Sequence, residues 1–333
     1  MSRKRFIVDE TEIVYINSSI YNNTPNPIPC EYNTSFSSAL LDDAGEYYLT
    51  IVRFRVPNTL PIFTFTPDTY YITLTYNNTD YQVALQMYNV DANSTSLSIH
   101  TFQQFIDIIN TGFTTAFTAL KTANGAAPQT EAPFMVYNHE LETFSLYVQN
   151  SYLSTAMNTI GIYFNDDLYN FFYNSFKVEN LGVNNANKKD YKFIVSNEKN
   201  NIPVSPANYF ELKQQVSTLH QWYDLQSLLF SSSSLPVRPE FITTINSNGN
   251  SIYQPIITDF IPTLGRDRSD FIYTADPYRL VDMAGHSSIV KFDFRVLYVN
   301  KNGVTGTLMI PPKFSMSVKF AFIRKDKMQN NYI

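Results

Sequence analysis

The side chains that most often bind metals or transfer protons are few in this chain of 333 residues, and their spacing matches no catalytic or metal-binding pattern. No two of the four histidines have metal-ligand spacing; they are His100, His139, His220 and His286. The sequence contains no G-x-S-x-G nucleophile turn, no Walker A phosphate loop and no H-E-x-x-H helix. We therefore expect no catalytic residues, no metal site and no cofactor, and we predict that the chain is not an enzyme.

Two groups of acidic residues are the remaining candidates for chemistry. The segment Asp42 to Glu46 has oxygen ligands for Ca²⁺, but it lacks the alternating spacing of a calcium loop, which favours a solvated turn before a strand. Asp259, Asp276 and Asp282 are carboxylates of the kind that glycoside hydrolases use in pairs, although no two-carboxylate motif joins them. The single Cys30 has no disulfide partner and is interpreted as a small apolar filler.

The composition is low in charge and high in aromatic residues. Charged residues make up 16% of the chain and aromatic residues 15%, whereas an ordinary soluble domain has about 25% charged residues. Interfaces favour Tyr and Phe and exclude Lys and Glu, so this composition indicates a surface covered by neighbouring subunits, although an AT-rich genome would produce the same bias. The net charge of −5 argues against broad nucleic-acid binding.

From the sequence we expect no targeting segment and no membrane span. The basic residues at its start are followed by Ile7, Val8 and then acidic residues, without the apolar run of a secretory signal. Its uncharged apolar stretches are all shorter than the roughly 18 residues that a membrane helix needs. We expect synthesis in a reducing, cytosolic environment.

Alternating apolar and polar residues predict antiparallel strands along most of the chain. Near the C-terminus Phe292, Phe294 and Val296 share one face, and a turn at Asn302–Gly303 leads toward a second alternating run from Ser315 to Phe322. Many short strands between turn-rich stretches predict an all-β fold of the jelly-roll β-sandwich type, with two sandwiches in a chain of this length.

Two longer helices, and a short one near Asp167–Tyr173, are predicted among these strands. Apolar residues recur at three- and four-residue steps over residues 101–120, and Thr101 with Gln104 forms a capping box at the start. A weaker pattern predicts a second helix over residues 208–220. Trp222, the only tryptophan, follows this second helix and is expected in the core.

The domain boundary is predicted from composition. The stretch Asn180 to Pro206 is the most polar and turn-rich part of the chain, which is typical of a linker. We therefore predict a boundary near residue 176, with jelly-roll-like β domains over residues 1–175 and 176–333.

The order of several strand and turn segments resembles a family of viral shell proteins. In chain order the segments are Glu46–Pro57 (EYYLTIVRFRVP), Leu60–Phe63 (LPIF), Ile162–Tyr169 (IYFNDDLY), Ser232–Val237 (SSSLPV), Ile256–Phe260 (IITDF), Tyr273–Asp282 (YTADPYRLVD) and Lys319–Lys325 (KFAFIRK). They resemble the jelly-roll capsid proteins, penton (vertex) or minor capsid proteins, of eukaryotic DNA viruses in the polinton and virophage group. The resemblance implies a component of the virion capsid, made in the cytoplasm or nucleus of a host cell.

The resemblance leads us to expect a structural protein of an icosahedral shell, in the first place the pentameric vertex protein, with copies of itself and other capsid proteins as partners. Three alternatives stay open. A compact double-jelly-roll major capsid protein would form trimers. A carbohydrate- or receptor-binding sandwich of a spike would present a concave patch of exposed tyrosines. A glycoside hydrolase would use Asp259 or Asp282.

Two groups of charged residues are candidates for contacts in a capsid. Arg3, Lys4 and Arg5 form a basic N-terminal arm suited to a weak contact with the genome or with an inner membrane, although a solvated tail has the same composition. Arg279 and Asp282 lie on one predicted turn and are candidates for a specific ion pair, either between subunits or within one.

Overall fold

The structure of the protein is a computed structural model, which describes residues 7–8, 13–58, 60–87, 98–125, 131–153, 159–173, 175–182, 186–196, 201–204, 209–243, 251–262, 270–274 and 279–329. Strands account for most of the regular structure in these residues, so the predicted all-β class is confirmed.

The strands follow one another along the chain with few helices between them. They are β1 (Ile7–Val8), β2 (Ile13–Tyr21), β3 (Ile28–Pro29), β4 (Glu31–Ser35), β5 (Tyr47–Pro57), β6 (Phe63–Thr64), β7 (Tyr71–Tyr76), β8 (Thr79–Ala84), β9 (Ser98–Ile99), β10 (Phe134–Asn138), β11 (Thr143–Gln149), β12 (Gly161–Phe164), β13 (Val178–Asn180), β14 (Tyr191–Phe193), β15 (Asn201–Val204), β16 (Tyr209–Lys213), β17 (Leu225–Ser231), β18 (Glu240–Thr243), β19 (Ser251–Gln254), β20 (Ile256–Phe260), β21 (Asp270–Thr274), β22 (Val281–Asp282), β23 (Lys291–Asn300), β24 (Thr305–Thr307), β25 (Met309–Ile310), β26 (Ser315–Arg324) and β27 (Met328–Gln329). The α-helices are α1 (Phe102–Ala123), α2 (Asp166–Tyr169) and α3 (Leu219–Trp222), and 3-10 helices span Ala44–Glu46, Asn150–Tyr152, Asn170–Phe172 and Lys325–Lys327.

The chain folds into two compact units. The first unit consists of Met1–Leu60 and Asp224–Ile333, and the second of Pro61–Tyr223. The second unit is therefore an insertion between β5 and β17 of the first. This division differs from the predicted domains 1–175 and 176–333. The predicted boundary near residue 176 is wrong, because the chain passes from one unit to the other at two places, after Leu60 and after Tyr223.

The polar stretch that suggested the boundary belongs to the second unit. Within it β14 pairs with β12 and with β13, and β15 pairs with β16. Tyr191 and Phe193 of β14 are buried in the core of this unit. Short strands with one exposed face have the same polar composition as a linker, so composition alone could not distinguish the two.

The first unit has the strand order of a jelly roll. One sheet has the order β2-β26-β5-β21, with β22 also on β5, and the other has the order β20-β17-β23-β24, with β4 also on β23. If β2, β4, β5, β17, β20, β21, β23 and β26 are counted 1 to 8, the sheets read 1-8-3-6 and 2-7-4-5. Every pairing in the two sheets is antiparallel. This is the two-Greek-key arrangement of a jelly-roll sandwich.

Alternate residues of β23 and β26 form the core of the jelly roll, as their sequence pattern predicts. Each is at most 2% exposed: Phe292, Phe294, Val296, Met316, Val318, Phe320 and Phe322. The rings of Phe292 and Phe320 lie 4.9 Å apart, and those of Phe54 and Phe230 lie 4.4 Å apart. Aromatic side chains from both sheets therefore interlock in the space between them.

The second unit contains a five-stranded sheet, β13-β14-β12-β7-β8, and a four-stranded sheet, β10-β11-β16-β15. Its core surrounds Trp222, whose ring stacks on Phe144 at 4.6 Å and meets Phe102 and Phe105 edge-on. The indole Nε1 donates to the carbonyl of Phe171 at 2.7 Å. The prediction that Trp222 is a core residue is confirmed.

Helix α1 confirms the helix predicted over residues 101–120. The side chain of Thr101 accepts a hydrogen bond from the backbone N–H of Gln104, and the Gln104 side chain accepts one from the N–H of His100. One face of α1 is buried against β7, β8 and β10. None of the helices in the described part of the chain has the length and hydropathy to cross a membrane.

The prediction of a weaker helix over residues 208–220 is wrong. Its first part is the strand Tyr209–Lys213, which pairs with β11 and β15, and only Leu219–Trp222 is helical. Phe210 and Leu212 face the core from this strand. Hydrogen-bonding partners on both sides stabilise the extended backbone, and a local helical periodicity does not report on such distant partners.

Gly112 tests how closely α1 packs on the sheet beneath it. A Cβ atom at Gly112 would lie 2.4 Å from Cδ2 of Leu85, which is itself buried, and 3.2 Å from Cδ1 of Ile72. Although alanine favours a helix more than glycine does, by about 1 kcal/mol, overpacking costs about 1–3 kcal/mol. We expect Gly112→Ala to destabilise the second unit, measured by urea unfolding followed through Trp222 fluorescence. Gly125→Ala is the control because nothing lies within 4 Å of its Cβ position; equal stability of both variants would contradict the close packing.

Candidate functional site and assembly surfaces

The two residues predicted to form an ion pair, Arg279 and Asp282, each pair with a different partner. The Arg279 guanidinium contacts Asp259 of β20 and, at 2.6 Å, Glu240 of β18. Asp282 of β22 pairs with the ammonium group of Lys325. The structure therefore places both residues in ion pairs of the jelly-roll unit but does not bring them to each other.

Lys325 connects three segments at one end of the jelly roll. Besides Asp282, its Nζ donates to the carbonyl oxygens of Gly45 at 2.6 Å and of Met283 at 3.4 Å. The same ammonium group lies 5.3 Å from the centre of the Tyr48 ring. The sequence shows a small basic cluster here, Arg324 to Lys327, but it does not predict the role of Lys325, because that role depends on which segments meet.

The acidic segment Asp42 to Glu46 forms a turn before β5, as predicted. Asp43 accepts a hydrogen bond from the N–H of Gly45 at 2.8 Å, and its other carboxylate oxygen lies 2.9 Å from Nδ1 of His286. The hydrogen bond with His286 lowers the pKa of Asp43. In the part of the chain that the structure describes, no three His, Cys, Asp or Glu side chains are grouped to hold a metal ion.

The carboxylates considered for glycoside hydrolysis are engaged with basic residues. Asp259 contacts Arg279, and Asp282 contacts Lys325. Asp276 lies outside the described residues. Two carboxylates that flank a glycosidic bond must face each other across it, and the contacts of Asp259 and Asp282 instead tie each to its own cation.

Cys30 is buried in the jelly-roll core. Burial raises the pKa of its thiol, and the nearby Glu31 raises it further. A thiol that stays protonated is a poor nucleophile, so the interpretation of Cys30 as a core filler is confirmed.

Asp293 of β23 holds the serine-rich loop that follows β17. Its carboxylate accepts hydrogen bonds from the hydroxyls of Ser232 at 2.9 Å and Ser233 at 2.8 Å, and from the N–H of Ser234 at 2.6 Å. Burial alone would raise the pKa of Asp293, but the hydrogen bonds from these serines outweigh it and lower the pKa to about 2. The segment Ser232–Val237, one of those on which the family resemblance depends, therefore begins with a loop that hydrogen bonds hold against strand β23.

Strand β2 is an exposed edge of the jelly roll. Among the described residues it pairs with β26 on one side only. At its two ends Tyr15 is 46% and Tyr21 62% exposed, and Phe314, whose carbonyl accepts from the N–H of Asn22 at 3.0 Å, is 50% exposed. Tyr15, Tyr21 and Phe314 are called the edge patch below. A long unpaired edge beside exposed aromatic residues is a surface that proteins normally cover.

Basic residues lie next to the edge patch on the outer face of the same sheet. Arg53 of β5 is paired in register with Lys319 of β26, whose Nζ lies 4.2 Å from the centre of the Tyr15 ring. Arg55 pairs with Asp270 at 2.5 Å. Arg53 and Lys319 therefore bring two positive charges together on this face, although the whole chain has a net charge of −5.

The basic arm Arg3, Lys4 and Arg5 lies outside the described residues. The nearest described strand, β1, pairs with β27 in the register Ile7 to Gln329. The proposed contact of the arm with genome or membrane stays a prediction.

Residues 89–324, more than half of the chain, match the family model described as Sputnik minor capsid protein V18/19. Together with the jelly-roll sandwich described above, this match shows that the protein is a structural protein of a viral capsid. The chain belongs to this family.

Individual relatives agree with this assignment. Structural protein V19 of the Sputnik virophage is 32% identical over 204 residues, which cover 57% of this chain and 93% of the relative. A chain in the cryo-EM structure of the Sputnik virophage superposes with a TM-score of 0.79 at 27% identity, covering 95% of this chain and 99% of that one. The crystal structure of the mavirus penton protein has the same fold, with a TM-score of 0.67 at 17% identity over 94% of this chain and 99% of that one. The predicted family resemblance is confirmed, and the chain is a component of the virion capsid.

The carboxylate of Asp293 gives a prediction on pH and stability. Its lowered pKa means that its stabilising effect is complete above 3.8, the ordinary value, and is lost as the pH falls toward about 2. We expect Asp293→Asn to destabilise the jelly roll by about 1–2 kcal/mol at pH 7, a value reduced for partial exposure, and we expect this difference to shrink as the pH falls from 5 to 2. Hydrogen exchange of peptides from β17 and β23 measures it. Asp42→Asn is the control; an Asp293→Asn effect that does not depend on pH would contradict the assignment.

Lys325 and Arg279 give a matched pair of variants. Lys325→Met leaves two backbone carbonyls and a carboxylate without their donor, so we expect a loss of about 1–3 kcal/mol in unfolding free energy. Arg279→Met removes only half-exposed ion pairs, which are worth less than about 1 kcal/mol. Hydrogen exchange in β5 and β26 measures both. A larger effect for Arg279→Met would show that the Lys325 contacts do not fasten this end of the sandwich.

Proposed function

We propose that this capsid protein forms the vertex of its icosahedral shell as a ring of five copies. The observation that carries the proposal is a single jelly-roll sandwich with an exposed edge strand and edge patch, in a chain of the minor capsid family. The fold shared with the mavirus penton protein supports it. A rotationally symmetric ring gives each copy two neighbours, which cover surfaces that a lone copy would expose.

The edge patch is our candidate for the contact between copies. Burial of apolar and aromatic surface stabilises an interface. A neighbouring copy can also pair with the unpaired backbone groups of an edge strand, or cover them so that other chains cannot pair with them. Arg53 and Lys319 beside the patch favour a neighbour that offers acidic or carbonyl groups. Arg279 and Asp282, which lie in ion pairs within the copy, have a structural role in this proposal.

The trimeric double-jelly-roll alternative has less support. A double-jelly-roll capsomer needs the same strand order twice in one chain. The second unit, in its described residues, has sheets ordered β13-β14-β12-β7-β8 and β10-β11-β16-β15, with α1 between strands in the chain. This order is not the 1-8-3-6 and 2-7-4-5 of the first unit.

The protein acts in this proposal without catalysis. Asp259 and Asp282 are paired with Arg279 and Lys325, and the thiol of Cys30 is buried. Its partners are copies of itself and the other proteins of the shell. Synthesis in the cytoplasm or nucleus of the host, and a weak contact of Arg3, Lys4 and Arg5 with genome or inner membrane, belong to the same proposal.

The symmetry of the purified protein tests the proposal. We expect cryo-electron microscopy of the concentrated protein to show five-fold rings, with mass photometry giving the matching mass. The double variant Tyr21→Ser, Phe314→Ser is expected to weaken association at least about tenfold, since buried interface aromatics are typically worth more than about 1 kcal/mol each.

Leu141→Ser is the matched control for surface hydrophobicity. Leu141 is 63% exposed and belongs to the second unit, away from the edge patch in the chain. Its replacement is expected to leave the rings intact. Three-fold particles would contradict the vertex assignment, and a double variant that assembles like the unaltered protein would remove the edge patch as the contact.

A further inference from the structure

A cavity of about 350 Å³ lies at one end of the five-stranded sheet in the second unit. It is bordered by the turn between β7 and β8, the start of β12 and the end of β14. Its volume lies in the range of about 300–1,000 Å³ that is usual for small-molecule sites. The residues that line it have no part in the jelly roll or in the edge patch.

The turn between β7 and β8 places two amide side chains at this cavity. Asn77 and Asn78 both have a positive φ, at 49° and 60°, as a two-residue hairpin turn requires. Asparagine tolerates this backbone conformation better than most residues do. Both residues are exposed and line the cavity, and each amide can donate and accept hydrogen bonds.

Gly161 fixes the position of an aromatic side chain at the same cavity. A Cβ atom on Gly161 would lie 2.7 Å from Cε2 and 2.9 Å from the hydroxyl of Tyr163. The ring of Tyr163 therefore leans over a backbone position where any side chain would displace it. Gly161 is paired in register with Thr75, and Tyr163 with Lys192, so all four residues share one face of the sheet.

The cavity combines three kinds of chemistry. Amides and hydroxyls from Asn77, Asn78 and Thr75 supply neutral donors and acceptors, Lys192 supplies a cation, and Ile160 supplies an apolar wall. The Lys192 ammonium group is only loosely paired, at 3.8 Å from Glu179. A sugar ring needs this mixture, because its hydroxyls both donate and accept while its C–H groups are apolar. A charge-assisted contact with the ammonium group additionally selects a carboxylate.

We propose that this cavity binds an acidic sugar, a pyranose ring with a carboxylate group, as found at the end of a glycan chain. The Lys192 ammonium group pairs with the sugar carboxylate, and Asn77 and Asn78 bond its hydroxyls. The proposal concerns the second unit alone and does not depend on five-fold assembly. A capsid protein with this site would attach the particle to surfaces that present acidic glycans.

Saturation-transfer difference NMR on the full chain tests the site, with glucuronic acid as the probe. Glucose is the matched neutral probe, since it differs from glucuronic acid only in having a hydroxymethyl group in place of the carboxylate. We expect glucuronic acid to bind with a Kd of about 1 mM and glucose at least about tenfold more weakly. Lys192→Gln is expected to reduce glucuronic acid binding about tenfold, and Asn78→Gly, which keeps the positive φ, to weaken both sugars.

Lys213→Gln is the control for the loss of one lysine. Lys213 is 47% exposed and lies 3.6 Å from Glu211, so its setting resembles that of Lys192, which is 37% exposed, but it is outside the cavity. It should leave binding unchanged, and unaltered Trp222 fluorescence should confirm that every variant is folded. Absence of saturation transfer to glucuronic acid, equal binding of glucose, or unchanged binding by Lys192→Gln would overturn the proposal.

Discussion

The jelly roll depends on one central strand, β26, which hydrogen-bonds to β2 along one side and to β5 along the other. These three strands come from the two ends of the chain, so the sheet closes only when its C-terminal strand enters between two N-terminal ones. Phe320 and Phe322 of β26 then complete the core against the opposite sheet. Bringing together strands that are so far apart in the sequence has a cost in loop-closure entropy, and the burial of these aromatic side chains offsets it.

This closure explains how the sequence of a second unit can be inserted into that of the first. The chain leaves the jelly roll after β5 and returns at β17, whose side chain Phe230 packs against Phe54 of β5. Because β5 and β17 are held by their own sheets, the connection between them is free to be long. The inserted unit has its own aromatic core around Trp222, so its folding does not draw on the apolar residues of the sandwich.

Sequence reasoning succeeded where structure follows from local patterns. The alternation in β23 and β26 and the capped start of α1 at Thr101 are short-range features, and the structure confirms them. It failed where structure depends on distant partners. The strand at Tyr209–Lys213 exists because β11 and β15 flank it, and the insertion becomes visible only when the pairing of separated strands is known. Arg279 and Asp282 were predicted as candidates for one ion pair, but each has a different partner, which the register of distant strands decides.

The low charge of the sequence has a physical interpretation in this structure. Part of the apolar surface is exposed on the jelly-roll edge, where a ring of copies would cover it, and the ionic contacts of Lys325 and Asp293 stabilise the sandwich internally. The second unit offers a separate surface, with a polar cavity beside Asn77 and Lys192. In the two proposals, assembly and recognition use different parts of the same chain.

Hydrogen exchange of β2 in assembled and dissociated protein tests the central claim most directly. The account predicts that amide groups of Ile13–Tyr21 exchange more slowly in the assembled protein, because neighbouring copies cover this edge, whereas those of β11 in the inserted unit exchange equally in both states. Equal exchange of β2 in the two states would show that its edge remains exposed to water in the assembly, and would contradict the account.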